Sequence, residues 1–162
     1  MSGWVTPTQP NISDYTLFLQ GIGMNTTVLP TNSPYIGYAF NQASTIVNPY
    51  GQCVTVPTGV TNVSYTLAVY NCAAHIQIKI TPDQTGQNFF QTLRGPGPGG
   101  DNLVGFLPGV VTASSDEGTS QTLVVSEAFK NLTLRDLGYM ATPYGRSYLE
   151  YAQDYGEIVG LS

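Results

Sequence analysis

Cys72 and His75 stand three positions apart in the run LAVYNCAAHI, a spacing that places both side chains on one face of a helix. A thiol beside an imidazole is the start of a cysteine nucleophile, because the ring can draw off the proton and leave a thiolate. The neighbours Ala73, Ala74 and Ile76 oppose this, since apolar burial raises a thiol pKa. His75 is also the single histidine of the chain, so general acid–base work near neutral pH has no second candidate. We expect a buried or half-buried imidazole hydrogen-bonded to a neighbour, and an inert thiol.

Other constellations are weaker. The ten carboxylates are scattered, and the close pairs Asp116/Glu117 and Asp154/Glu157 fall at a turn and at a helix end, where solvated charge explains them. Cys53 and Cys72 lack the paired C-x-x-C spacing of a metal site. The glycines of RGPGPGG, from Arg94 to Gly100, are not a phosphate loop, which needs a Lys after its last glycine. The expectation is a protein that is not an enzyme, with no catalytic residue, no cofactor and no metal ligand.

Charged residues make up 9% of the 162, whereas ordinary soluble domains carry about 25%. The surface must therefore be built from Tyr, Asn, Gln, Ser and Thr. Tyrosine is enriched where proteins meet, which suits permanent residence in an assembly. A net charge of −5 opposes phosphate binding, and the five basic residues, Lys79, Arg94, Lys130, Arg135 and Arg146, form no cluster. The charge balance speaks against DNA gripping, and it is compatible with an acidic surface that DNA slides past. The N-x-S/T sequons at Asn11, Asn25, Asn62 and Asn131 would suit a secreted binding module with a Cys53–Cys72 disulfide. The start MSGWVTPTQP lacks a basic region followed by an apolar one, and nowhere do 18 apolar residues run together. We expect a soluble chain made in the cytosol, with no membrane partner.

The elements that position these residues read as a mainly α fold: a small bundle of about four helices in a single domain over 1–162, with one protruding β-hairpin and a long Pro/Gly-rich loop. Residues 1–10 form an extended N-terminal arm. Helix one starts at Asn11 or Ser13 and ends at Gly21, with Ile12, Tyr15, Thr16 and Leu19 on one face. A second begins with Ser33 as cap and Pro34 at the first position, then carries Ile36, Ala39, Phe40, Ala43 and Val47 at helical spacing until Asn48-Pro49. Ser64 caps YTLAVYNCAAHIQIKI, which is apolar on nearly every side and so belongs at the centre of the bundle. Its end, Ile76, Ile78 and Ile80 alternating with Gln77 and Lys79, admits a strand as the alternative. Residues 82–108 form a loop insertion in which Phe89, Phe90 and Leu93 make a helical turn. The Ser/Thr-rich segment 109–126, with its Asp116-Glu117-Gly118 tip, is the hairpin. A short helix follows around Leu134 and Leu137, with Thr133 as a cap. The last helix opens with Thr142 as cap and Pro143, and residues 157–162 form a tail. In that helix Tyr144, Tyr148, Tyr151 and Tyr155 share one face, either as core or as a subunit interface.

In this order the pieces LAVYNCAAHI (Leu67 to Ile76), Val110 to Val124 with its SS-D-E-G turn, and TPYGRSYLEY (Thr142 to Tyr151) resemble the head–tail connector proteins of long-tailed bacteriophages, also called adaptor or head-completion proteins. The likeness spans most of the chain from residue 13. It implies a virion structural protein in the neck, a ring homo-oligomer of about 12 copies beneath the portal protein and above a stopper or tail-terminator protein, with DNA only passing through. It implies that the hairpin, with Asp116, Glu117 and Gly118 at its tip, contacts neighbours or lines the opening. It implies, too, that the tail, Glu157, Ile158, Val159, Gly160, Leu161 and Ser162, reaches into the portal or an adjoining ring. The insertion at 82–108 is longer than the family pattern leads one to expect. The rival readings within the virion are a tail-completion or stopper protein and a tail-tube subunit.

Overall fold

The structure, a computed structural model, describes residues 9–47, 62–94, 110–114, 121–124 and 134–155. Helix α1, Ile12–Gly21, starts where Asn11 adopts an extended backbone and its side-chain oxygen accepts the Asp14 N–H. The Asn11 amide in turn donates to the Asp14 carboxylate at 2.5 Å, so cap and first turn hold each other. The helix stops as Met24 N–H reaches back to the Leu19 carbonyl, across Gly23 at φ 95°, a conformation that suits glycine. At Asn25 the side-chain oxygen accepts from the Thr27 and Val28 N–H groups. Two of the sequon asparagines thus have local structural work as cap and turn residues.

Helix α2, Pro34–Val47, buries Ile36, Ala39, Ala43 and Val47, the face its spacing predicts. Helix α3, Asn62–Ile80, is the longest element, and it starts two residues before Ser64, the expected cap. Residues 72–78 are buried without interruption, so α3 is enclosed around its whole circumference there. Its Ile76–Ile80 end is helical, and the strand alternative falls away. α3 packs most extensively on α2 and on the last helix, with smaller contacts to α1 and α4. Ala39 and Ala43 on α2 and Ala68, Ala73 and Ala74 on α3 are all buried, and such small side chains permit close helix packing. Around this seam Tyr15, Phe18, Phe40 and Tyr70 interlock with ring centroids 5.6–6.5 Å apart. Tyr70 Oη accepts the Asn11 N–H and donates to the Asn11 carbonyl, both at 3.2 Å, pinning the start of α1 to the middle of α3.

The expected loop insertion is structured in its first part. Helix α4, Phe89–Arg94, lies inside it, because the Asp83 carboxylate accepts the Phe90 and Gln91 N–H groups at 2.6 and 2.8 Å. Phe90 is fully buried, and the Arg94 guanidinium donates to the Ile78 and Thr81 carbonyls at the end of α3. Strand β1, Val110–Ser114, pairs antiparallel with β2, Gln121–Val124, and a register shift falls between Val111 and Ala113. The chain closes with α5, Leu134–Tyr139, and α6, Pro143–Tyr155. The architecture is mainly α. Residues 1–8 of the expected arm 1–10, the rest of the loop at 95–108, the hairpin tip with Asp116, Glu117 and Gly118, and the tail 157–162 lie outside the described residues.

Candidate functional site

α5 and α6 meet α3 through a joint dictated by the sequence Thr142-Pro143-Tyr144-Gly145. Thr142 caps α6: its hydroxyl accepts the Gly145 N–H at 2.9 Å, while its carbonyl accepts from Arg146 N–H at 3.0 Å. Pro143 fits the first helical position, where no N–H is needed. Gly145 has no alternative, because a β-carbon there would meet the Tyr139 carbonyl, lying 2.7 Å from its carbon and 2.9 Å from His75 Nδ1. The missing side chain is what lets α6 turn back tightly on α5 and press on α3.

His75 ends up buried, 2% exposed, with Nδ1 2.7 Å from the same Thr142 hydroxyl. Its ring packs on Tyr139 with centroids 4.9 Å apart, and Tyr139 packs on Tyr148 at 5.0 Å. Burial, with a smaller contribution from the Lys79 ammonium, pulls the imidazole pKa down to about 4, so the ring is neutral at physiological pH. A neutral ring that accepts the Thr142 proton at Nδ1 holds its own proton on Nε2. Cys72, fully buried and a free thiol, is pushed up to about 12 by burial, against a hydrogen bond with Tyr139 that lowers it. The sulfur and the ring of the sequence pair therefore both gather around Tyr139, but neither is poised to make a thiolate. Desolvation also raises Tyr139 and Tyr148 well above the usual phenol value.

Beside this joint a cleft of about 420 Å³ opens between α2, α3 and α5. Ile46, Ile76 and Ile80 give it apolar walls, and His75 and Tyr139 lie along it. Lys79 and Arg135 bring it two positive charges, and none of the described residues that line it is a carboxylate. This corrects the expectation that the basic residues form no cluster. Lys79 and Arg135 are 56 positions apart in the chain, and only the packing of α5 beside the end of α3 unites them. No family model, curated protein or solved structure matches this chain.

Among the described residues no group of His, Cys, Asp and Glu could hold a metal ion, and no helix is long and apolar enough to cross a membrane. The tyrosine stripe faces inward. Tyr148 is 1% and Tyr151 8% exposed, and Tyr144 is half-buried against the core. Tyr148 and Tyr151 thus have almost no surface to offer a neighbouring subunit, which removes them from the expected interface; the reason is that this face is the one α6 lays on α3. Tyr155 closes α6, with its side chain outside the described residues. Large apolar groups are exposed elsewhere instead: Leu17 on α1, Tyr38 on α2 and Leu67 on α3, at 58%, 62% and 37%.

Proposed function

We propose that this chain is a non-catalytic virion protein, a subunit of the ring that joins the portal of a DNA-filled phage head to the tail. In this reading the helical bundle forms the ring wall. Residues 109–126 protrude from it as a β-hairpin whose Asp116–Gly118 tip meets a neighbour or lines the opening, and residues 157–162 dock into the portal or an adjoining ring. The observation that supports it most is the kind of surface the bundle presents. Leu17, Tyr38, Leu67 and Ile12 stand exposed on a chain with only 9% charged residues, a surface suited to burial against other subunits without desolvating ions. The element order, with an enclosed α3 and an α6 opened by Thr-Pro-Tyr-Gly, agrees with the resemblance. A mainly helical chain speaks against a tail-tube subunit, which should be mostly β. The free thiol of Cys72 speaks against a secreted module held by a Cys53–Cys72 bridge. The test is the copy number of this chain in purified particles, measured against the portal protein by quantitative mass spectrometry. We expect a ratio near one to one. Many copies per portal would point to tube or shell, and absence from particles would end the reading.

A further inference from the structure

Charged side chains are scarce here, and most of those described have a partner. Asp14 bonds Asn11, Asp83 holds the start of α4, Arg94 bonds the end of α3, and Arg146 bonds the Met140 carbonyl. Asp136 is buried and also engaged. Four exposed charges remain with neither a hydrogen bond nor an oppositely charged group within ion-pair distance among the described residues. They sort into two patches by sign. Lys79 and Arg135 flank the cleft between α2, α3 and α5. Glu150 and Asp154 stand one turn apart on the outer side of α6, about 200° and 240° around the helix from the buried Tyr148. They do not reach the cleft of their own chain.

We propose that the cleft of one copy receives the outer face of α6 from a second copy, with Glu150 and Asp154 set against Lys79 and Arg135 and the apolar rim of Ile46 and Ile80 covered at the same time. Two different patches meeting head to tail make a heterologous contact, which repeats from copy to copy and closes into a ring when the rotation allows. The charge complementarity fixes the register of the contact more than it adds affinity, and the apolar walls supply the area. The inference rests on the assembly reading above and names the surface that would carry it.

The experiment is a charge exchange followed by sedimentation of the full chain at low salt. One variant carries Lys79→Glu and Arg135→Glu, and the other carries Glu150→Lys and Asp154→Lys. We expect the native chain to associate, each variant alone to associate at least tenfold more weakly, and an equimolar mixture to recover, because each acidic cleft then meets a basic α6. Circular dichroism confirms that the variants are folded, and Lys79→Gln with Arg135→Gln replaces the reversal if it is not. A native chain that stays monomeric, variants that associate like the native chain, or a folded mixture that fails to recover would each overturn the proposal. Association through these patches by a chain absent from virions would remove the connector reading and leave the interface standing.

Discussion

Gly37 and Gly145 both lie inside helices, so adding a methyl group to each should move stability in opposite directions. At Gly37, on α2, a β-carbon meets nothing within 4 Å. Gly37→Ala should therefore recover only the helix propensity that glycine forfeits, a gain of about 0.5–1 kcal/mol. The same propensity gain applies at Gly145, on α6, but there the β-carbon would lie 2.7 Å from the Tyr139 carbonyl carbon, where ordinary contact begins at 3.4 Å. The two must part by at least about 0.7 Å, the carbonyl oxygen lies closer still, and the obstacle is backbone on one side and the His75 ring on the other. Forced overpacking of a buried site costs about 1–3 kcal/mol, and here it also disturbs the Thr142 cap, worth about 1 kcal/mol. The net loss for Gly145→Ala is then about 2 kcal/mol or more. Urea denaturation followed by circular dichroism reads both variants on one scale, as midpoints at constant slope. A Gly145→Ala midpoint equal to or above the native one would refute the claim that this glycine is there for close approach.

Acid should loosen the same joint. With its folded pKa near 4 and an unfolded value of about 6.5, His75 binds a proton more readily in the unfolded chain, so stability is full above pH 6.5 and declines by about 3 kcal/mol as pH falls to 4. A His75→Gln variant should lack the decline between pH 6.5 and 5, and an unchanged slope there would show that another group is responsible. Tyr15 presents the opposite case, a hydroxyl buried without a hydrogen-bond partner among the described residues. Tyr15→Phe should leave thermal stability equal or raise it by about 1 kcal/mol, whereas a loss of that size would reveal a partner.

The helices were legible in the chain wherever a local device starts them. Asn11, the Ser33-Pro34 step and Thr142-Pro143 each announce a helix start, because capping is chemistry between residues a few positions apart. The periodicity of Ile36, Ala39, Ala43 and Val47 likewise announced the buried face of α2. α3 is legible as the central helix, yet it begins two residues before Ser64, since an apolar-all-round helix has no amphipathic edge to mark its first turn. α4 was legible only as a turn, because the carboxylate that organises it, Asp83, acts from six residues before its first residue. The tyrosine stripe was legible as one face, but spacing alone does not say whether that face meets its own chain or another. The cleft was illegible. It depends on Lys79 and Arg135 approaching across 56 residues, and the contact that brings them together is the Gly145 joint, whose requirement is visible only once Tyr139 and His75 stand beside it.

The Tyr70–Asn11 bond pair has a consequence for how the chain is made. The two ends of that clamp are 59 positions apart, so α1 has nothing to be pinned to until the middle of α3 has been synthesised. At about 5–20 residues per second, a ribosome takes about 3–12 s to cover that distance. Through that interval Tyr15, Leu19, Ile36 and Ala43 lack the surface that later encloses them. Those side chains stay uncovered until α3 follows, and its arrival closes the core around them.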